Sequence, residues 1–332
     1  MERQIFTCAG GLRTRDDVSV SPLAAETRVK CKGGGVGLCN TRFRDYIRAV
    51  TDLSDTVLRA ITDDGAFRVI TARTTNAVRG AIEAQGVTGA TARHFGDLLT
   101  ASVLFRETMA PNLRVQAIIK GAANSGSLIA DSHPSGQTRG LVQLKGDEID
   151  LGQGAVLQLM RTLPSGRINQ GVVEVPQQGG ISQSLMAYMQ SSEQVFSMLA
   201  VGTVFEGGQV VSAGGYMVQL LPEVGRGPLM VMTERLRDFE SIDPQLIDPQ
   251  FTPSWLLDEL LYGMPFTRLE ESSVRFECWC DELRVVSALA SLSRDDLEHL
   301  LSTNEVLEIA CEYCKRDFRI APARLRGLLE QS

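Results

Sequence analysis

Aromatic residues make up only 6% of this 332-residue chain, and its three histidines, His94, His133 and His299, lie far apart. None stands in a His-x-x-x-His or His-Glu-x-x-His pattern, so a zinc hydrolase built on a helical ligand pair is not expected. No Gly-x-Ser-x-Gly elbow is present either. The carboxylate pairs Asp63-Asp64 and Asp147-Glu148 read as turn residues, which leaves catalysis without a constellation to rest on. Long apolar runs are missing too: nothing approaches the roughly 18 residues of a membrane span. The amino terminus shows no apolar core behind basic residues, so no secretory signal is legible. Thr7-Cys8-Ala9 lacks the apolar stretch of a lipoprotein site. The expectation is a cytoplasmic protein with no membrane partner. Positive charge is in deficit as well, with 33 Lys and Arg against 40 Asp and Glu, a net −7. That balance argues against a bulk electrostatic grip on nucleic acid or anionic lipid.

Hydrophobic content of 43% is ordinary and allows a sizeable core. The informative residues are seven cysteines: Cys8, Cys31, Cys39, Cys278, Cys280, Cys311 and Cys314. An odd number in a long chain without a visible leader points to a reducing compartment. Four of them fall within 37 residues, as Cys-x-Cys, a 30-residue spacer and Cys-x-x-Cys. Zinc asks for four ligands at tetrahedral corners. A Cys-x-x-Cys bend presents two sulfurs, and Cys-x-Cys presents two more from neighbouring extended positions. Four soft thiolates favour zinc or an iron–sulfur cluster over harder cations. The spacing fits none of the usual ferredoxin runs, so zinc is the expectation, one ion on Cys278, Cys280, Cys311 and Cys314.

Energetics give that centre weight. A section of about 45 residues rarely holds a core by itself, whereas structural zinc supplies on the order of 10–16 kcal/mol in finger-sized peptides. Pairing any two of the four cysteines as a disulfide removes two ligands, so oxidation, metal loss and local unfolding are coupled. Three other readings stand beside this one: a purely structural zinc site, a nucleic-acid-binding zinc ribbon, and a thiol–disulfide oxidoreductase using Cys311 and Cys314. Residues 276–332 carry seven Lys and Arg against eleven Asp and Glu, a net −4 that opposes phosphate binding. The Cys-x-x-Cys also lacks the strand-to-helix setting of thioredoxin-like enzymes. His299, inside the spacer, reads as a solvated helix position rather than a ligand.

Four segments are expected. Residues 1–42 are basic, glycine-rich at 33–37 and without apolar periodicity, and read as a disordered extension with no function assigned to its glycine run. Residues 43–222 read as an α+β core. Strands are expected at 67–71, 113–120, 127–130, 138–144, 155–160, 166–175 and 209–221, and helices at 76–85, 91–109 and 183–190. In the second of those helices Leu98, Leu99, Ser102 and Phe105 or Val103 line one face. Residues 223–275 read as a helical connector, with Leu229, Met232, Leu236 and Phe239 on one stripe and a second helix capped by Thr252-Pro253. Residues 276–332 form a small zinc-binding section, with a Ser293-x-x-Asp296 capping box and strands flanking Cys311–Cys314.

Phe276-x-Cys278-x-Cys280-Asp281-Glu282-x-Arg284, with Glu305 to Cys311-Glu312-Tyr313-Cys314-x-x-x-Phe318, resembles the zinc domain of the heat-shock protein 33 (HslO) family. Phe95 to Ser102, Thr138-Arg139-Gly140, Tyr188-x-x-Ser191-x-Glu193-Gln194 and Ala213-Gly214-Gly215-x-x-x-Gln219-x-x-Pro222 are similar to that family's other landmarks. The resemblance runs from about residue 44 to 320. It implies a redox-regulated holdase chaperone rather than an enzyme, zinc-bound, monomeric and weakly active when reduced. Oxidation would form Cys278–Cys280 and Cys311–Cys314 disulfides, release zinc and unfold the zinc section and connector. Apolar surface, with Leu229, Met232, Leu236 and Phe239 as the tentative client-binding residues, would then hold unfolding proteins, commonly as a homodimer and without ATP. Residues 1–42 have no counterpart, so Cys8, Cys31 and Cys39 inherit no role. Trp279 is bulkier than the small or polar residue expected between the first two cysteines, and Phe318 stands where tyrosine is common.

Overall fold

Asp64-Gly65 makes the first turn, where Gly65 takes φ +70° and the Ala66 N–H donates to Asp64 Oδ1 at 3.0 Å. It joins strands β1 (Thr56–Thr62) and β2 (Phe67–Arg73) in an antiparallel pair. The computed structural model describes residues 53–329 apart from 164, 178, 223, 291 and 303–305, so the 1–42 segment with Cys8, Cys31 and Cys39 lies outside the described residues. Helices α1 (Thr75–Gln85) and α2 (Gly89–Arg106) follow, and Gly86 in the left-handed region (φ +64°) caps the first.

Strands β3 (Arg114–Lys120), β4 (Gly126–Ser132), β5 (Gln137–Leu144), β6 (Val156–Thr162) and β7 (Ile168–Glu174) pair antiparallel in the order β5-β4-β3-β6-β7. Helix α3 (Ile181–Tyr188) then leads to β8 (Ser197–Glu206) and β9 (Gln209–Leu220), which complete the first sheet as β1-β2-β9-β8. The three helices lie between the two sheets, each touching strands of both. This explains α2, which buries fourteen of its eighteen residues rather than the single face expected from its sequence. A helix enclosed on all sides has no amphipathic stripe to show. Its polar groups are satisfied locally: Thr100 Oγ1 donates to Gly96 O at 3.2 Å, and Ser102 Oγ to Leu99 O at 2.8 Å.

The outer face of the first sheet would be bare without the next segment. Helices α4 (Arg226–Arg237), α5 (Asp243–Leu246) and α6 (Pro253–Leu260) lay Met232, Leu236, Phe239, Ile242, Leu246, Leu256, Leu257 and Leu260 onto Leu58, Phe67, Val69, Tyr216 and Val218. The expected Thr252 cap forms, its side chain accepting from the Trp255 N–H at 3.1 Å. Polar stitches are few: Tyr216 donates to Phe239 O at 3.1 Å, Thr71 to Pro253 O at 2.8 Å, and Arg93 pairs with Asp243 at 2.5 Å. The segment is not purely helical, as the sequence reading had it. Short strands β10 (Phe266–Arg268) and β11 (Ser272–Ser273) add to the edge of β1, and β12 (Arg275–Phe276) pairs parallel with β5. Two- and three-residue edge strands have no periodicity to announce them.

Beyond Cys280, helices α7 (Glu282–Leu289) and α8 (Arg294–Ser302) precede a hairpin of β13 (Leu307–Ala310) and β14 (Asp317–Ile320), followed by α9 (Pro322–Leu329). The predicted capping box is present: Ser293 Oγ accepts the Asp296 N–H at 3.2 Å and bonds its carboxylate at 2.6 Å. Among the described residues from 277 onward, Leu297 and Ile320 are the buried hydrophobic side chains. Two such residues do not make a self-sufficient core.

Candidate metal centre

The first cysteine pair is placed by the second sheet. Arg275 N–H donates to Gly136 O at 3.0 Å and Glu277 N–H to Thr138 O at 3.1 Å, so β12 delivers Cys278 beside the start of β5. Phe276 anchors this splice against Gly80 of α1, where a Cβ would come within 2.7 Å of its ring. The second pair sits on the hairpin turn. Cys311 N–H donates to Arg316 O and Lys315 N–H to Cys311 O, each at 2.8 Å, and Lys315 takes the left-handed φ of +58° that closes the bend.

The four sulfurs converge, all within 4.8 Å of one another. Cys278 Sγ lies 3.8 Å from Cys311 Sγ, and Cys280 Sγ lies 3.4 Å from Cys314 Sγ. A tetrahedron with corners about 2.3 Å from its centre has edges of about 3.8 Å, so the spacing fits a cation held by four thiolates. Both of these contacts run across the two pairs. Titration points the same way. Burial pushes the Cys280 and Cys314 thiols up; neighbouring sulfurs add to it at Cys280, while at Cys314 the Arg316 backbone N–H and the Cys280 sulfur oppose it without reversing it. Burial acts likewise on Cys311, but the Cys314 and Tyr313 backbone N–H groups outweigh it and hold that thiol down. Four thiolates so close together need a cation among them. His299 is exposed on α8 and outside the cluster.

One side chain of the core reaches into the centre. On β5, Thr138 and Gly140 face the helices; a Cβ at Gly140 would lie 2.4 Å from the Phe95 ring. Alternation along the strand turns Arg139 the other way, toward the cysteines. Its Nη1 donates to Cys278 Sγ at 3.2 Å. Its guanidinium carbon lies 3.8 Å from the Trp279 ring centroid and 4.0 Å from that of Tyr313. Nε and Nη2 each reach Asp131 Oδ2 at 3.3 Å, and that wholly buried carboxylate is also gripped by Arg114. Gln85 adds two bonds of 2.9 Å to the Glu312 and Tyr313 carbonyls. The sequence reading singled out Arg139 only as part of a motif and assigned Arg114, Asp131 and Gln85 nothing. They approach the cysteines only through tertiary structure.

The tentative client-binding stripe is largely covered: Met232, Leu236 and Phe239 are buried against the first sheet, and Leu229 is half-buried. A cavity of about 280 Å³ between α4 and β8 is lined by Leu229, Met232 and Leu236 together with exposed Phe196 and Met198. Among the described residues no helix is long and apolar enough to cross a membrane.

Comparison with known proteins agrees with this architecture. The protein titled 33 kDa chaperonin (heat shock protein 33 homolog) of Thermotoga maritima superposes with a TM-score of 0.72 at 19% identity, over 84% of this chain and 99% of that one. The 33 kDa chaperonin of Syntrophotalea carbinolica is 27% identical across 83% of this chain and all of its own length. That of Bacillus subtilis is 26% identical across 84% of this chain and 99% of its own. The family described as Hsp33 protein matches residues 55–321, most of the chain and the whole of the cysteine cluster. The chain therefore belongs to the Hsp33 family of chaperones.

Proposed function

We propose that this chain is a redox-regulated holdase, in which Cys278, Cys280, Cys311 and Cys314 hold one zinc ion in the reduced state. The observation that carries the reading is the pairing of a four-sulfur cluster with a section that buries only two hydrophobic side chains among its described residues. Such a section depends on its metal for its fold. Zinc supplies the charge that keeps four thiolates together; the protein supplies their placement, through β12 and the hairpin turn.

Hydrogen peroxide removes two electrons from two thiolates, forming one S–S bond while its O–O bond breaks to give two hydroxide ions. Done twice, within Cys278–Cys280 and within Cys311–Cys314, this discharges all four ligands. The C-terminal section then loses its fold and ceases to brace β12, which continues directly into β11 and β10 and the helices covering the first sheet. Release of those helices bares their apolar side and the sheet beneath it, an aggregate of Leu, Phe, Val and Met side chains fit to hold an unfolding protein. Leu229, Met232, Leu236 and Phe239 belong to that surface. The reduced form is monomeric, the oxidised one dimeric, and both act in the cytoplasm without turnover chemistry.

Light scattering of a heat-labile client, before and after peroxide with mild heat, tests the reading, with zinc release followed by a chromogenic chelator. Expected are one equivalent of zinc released and a gain in protection. Zinc release without such a gain would leave a structural site alone.

A further inference from the structure

Each cysteine pair encloses an aromatic residue, Trp279 in the first and Tyr313 in the second, and both rings stack on the same guanidinium. That guanidinium also donates to Cys278 Sγ and is fixed from behind by Asp131. Arg139 is thus the one described side chain of the second sheet seen to touch both halves of the cluster and a sulfur at once. We infer that Arg139 is a positioning residue that locks the reduced centre onto the core and slows its oxidation.

The inference rests on the proposed redox function and extends it to how the switch is set. A thiolate that accepts a charge-assisted hydrogen bond has less electron density to offer an electrophile. Trp279 and Tyr313, both held against the guanidinium, also restrain the backbone on which two sulfurs must swing together to bond. Conversion of Cys278 to a disulfide sulfur removes its negative charge and with it the attraction to Arg139. The clamp therefore senses the sulfur's oxidation state and reports it to β5, and by reciprocity the docked core protects the reduced state. The bulky Trp279 gains a purpose here: a small residue at that position would remove one of the two rings lying against Arg139.

The test uses the full chain and two variants, Arg139→Gln and Arg139→Lys, each loaded with zinc and fully reduced. Arg139→Gln is expected to release zinc about tenfold faster under peroxide, the loss of one hydrogen bond to a charged sulfur. Arg139→Lys, which keeps charge but loses the planar stack, is expected to fall between Arg139→Gln and wild type. Tryptophan emission should shift early in oxidation in the wild type, and the shift should shrink in Arg139→Gln. If both variants release zinc within twofold of wild type, the clamp is refuted while the switch stands. If wild type itself keeps its zinc under peroxide, the underlying redox reading fails first. Should Arg139→Gln not fold, Arg139→Lys decides alone: release at the wild-type rate overturns the inference.

Discussion

If covering the first sheet keeps the reduced protein quiet, then loosening the cover should wake it without any oxidant. Leu236 on α4 is the position to change. It is 2% exposed and packs in the cluster formed with Phe67, Val69 and Tyr216. Truncation to alanine removes its buried contacts and leaves a cavity, costing about 2–5 kcal/mol. Few polar contacts share the load, chiefly the bonds from Tyr216 and Thr71 to carbonyls of the helical segment and the Arg93–Asp243 pair. Each 1.4 kcal/mol is a factor of ten, so the detached state should become roughly 30- to 4,000-fold more populated. Locally opened states of this kind lie within a few kcal/mol of the native state. The reduced Leu236→Ala protein should therefore suppress client aggregation with its zinc still bound, and amide exchange should quicken across 226–260 while remaining slow in α2. An unchanged scattering trace, in a variant whose amide exchange has quickened as described, would refute the idea that this cover masks the client surface.

Two further outcomes follow from the core. Burial lifts the Asp97 carboxyl from 3.8 to about 7, against a hydrogen bond from Thr203 that pulls it down. A carboxyl raised in the folded state favours folding when protonated, so its contribution is complete below about pH 4 and lost as pH climbs through 7. Asp97→Asn should accordingly raise the thermal midpoint at pH 8 and leave it little changed at pH 4, as differential scanning calorimetry would show; an equal shift at both values would contradict the assignment. Gly140→Ala should destabilise the protein by about 1–3 kcal/mol in urea titration, because its Cβ would meet the Phe95 ring at 2.4 Å and Ile129 O at 2.7 Å.

Much of this was legible before any coordinates. The alternation of Val115, Ala117 and Ile119, the Thr252-Pro253 start and the Ser293-x-x-Asp296 box each announce an element through local chemistry, and each element is there. Strand β8 escaped notice because Leu199 to Thr203 are buried in an unbroken run, which has no period of two. The four cysteines could be named as a cluster from their spacing, since metal chemistry restricts which spacings work. Their support could not. Arg139 sits 139 positions from the Cys278 sulfur and Gln85 sits 228 from the Tyr313 carbonyl, while Asp131 and Arg114 act through Arg139. No local pattern encodes a contact of that range.

The scarcity of buried hydrocarbon among the described residues of the C-terminal section has a thermal consequence. Heat capacity on unfolding arises from apolar surface newly exposed to water. Among its described residues the section buries only the hydrophobic side chains of Leu297 and Ile320, so these expose little apolar surface when it opens and its stability curve should be nearly straight in temperature. The helices over the first sheet, with many buried leucines, carry the curvature instead. On the proposed mechanism, warming and sulfur oxidation would act on separate parts of one latch, with mild heat helping at the second step after chemistry has done the first.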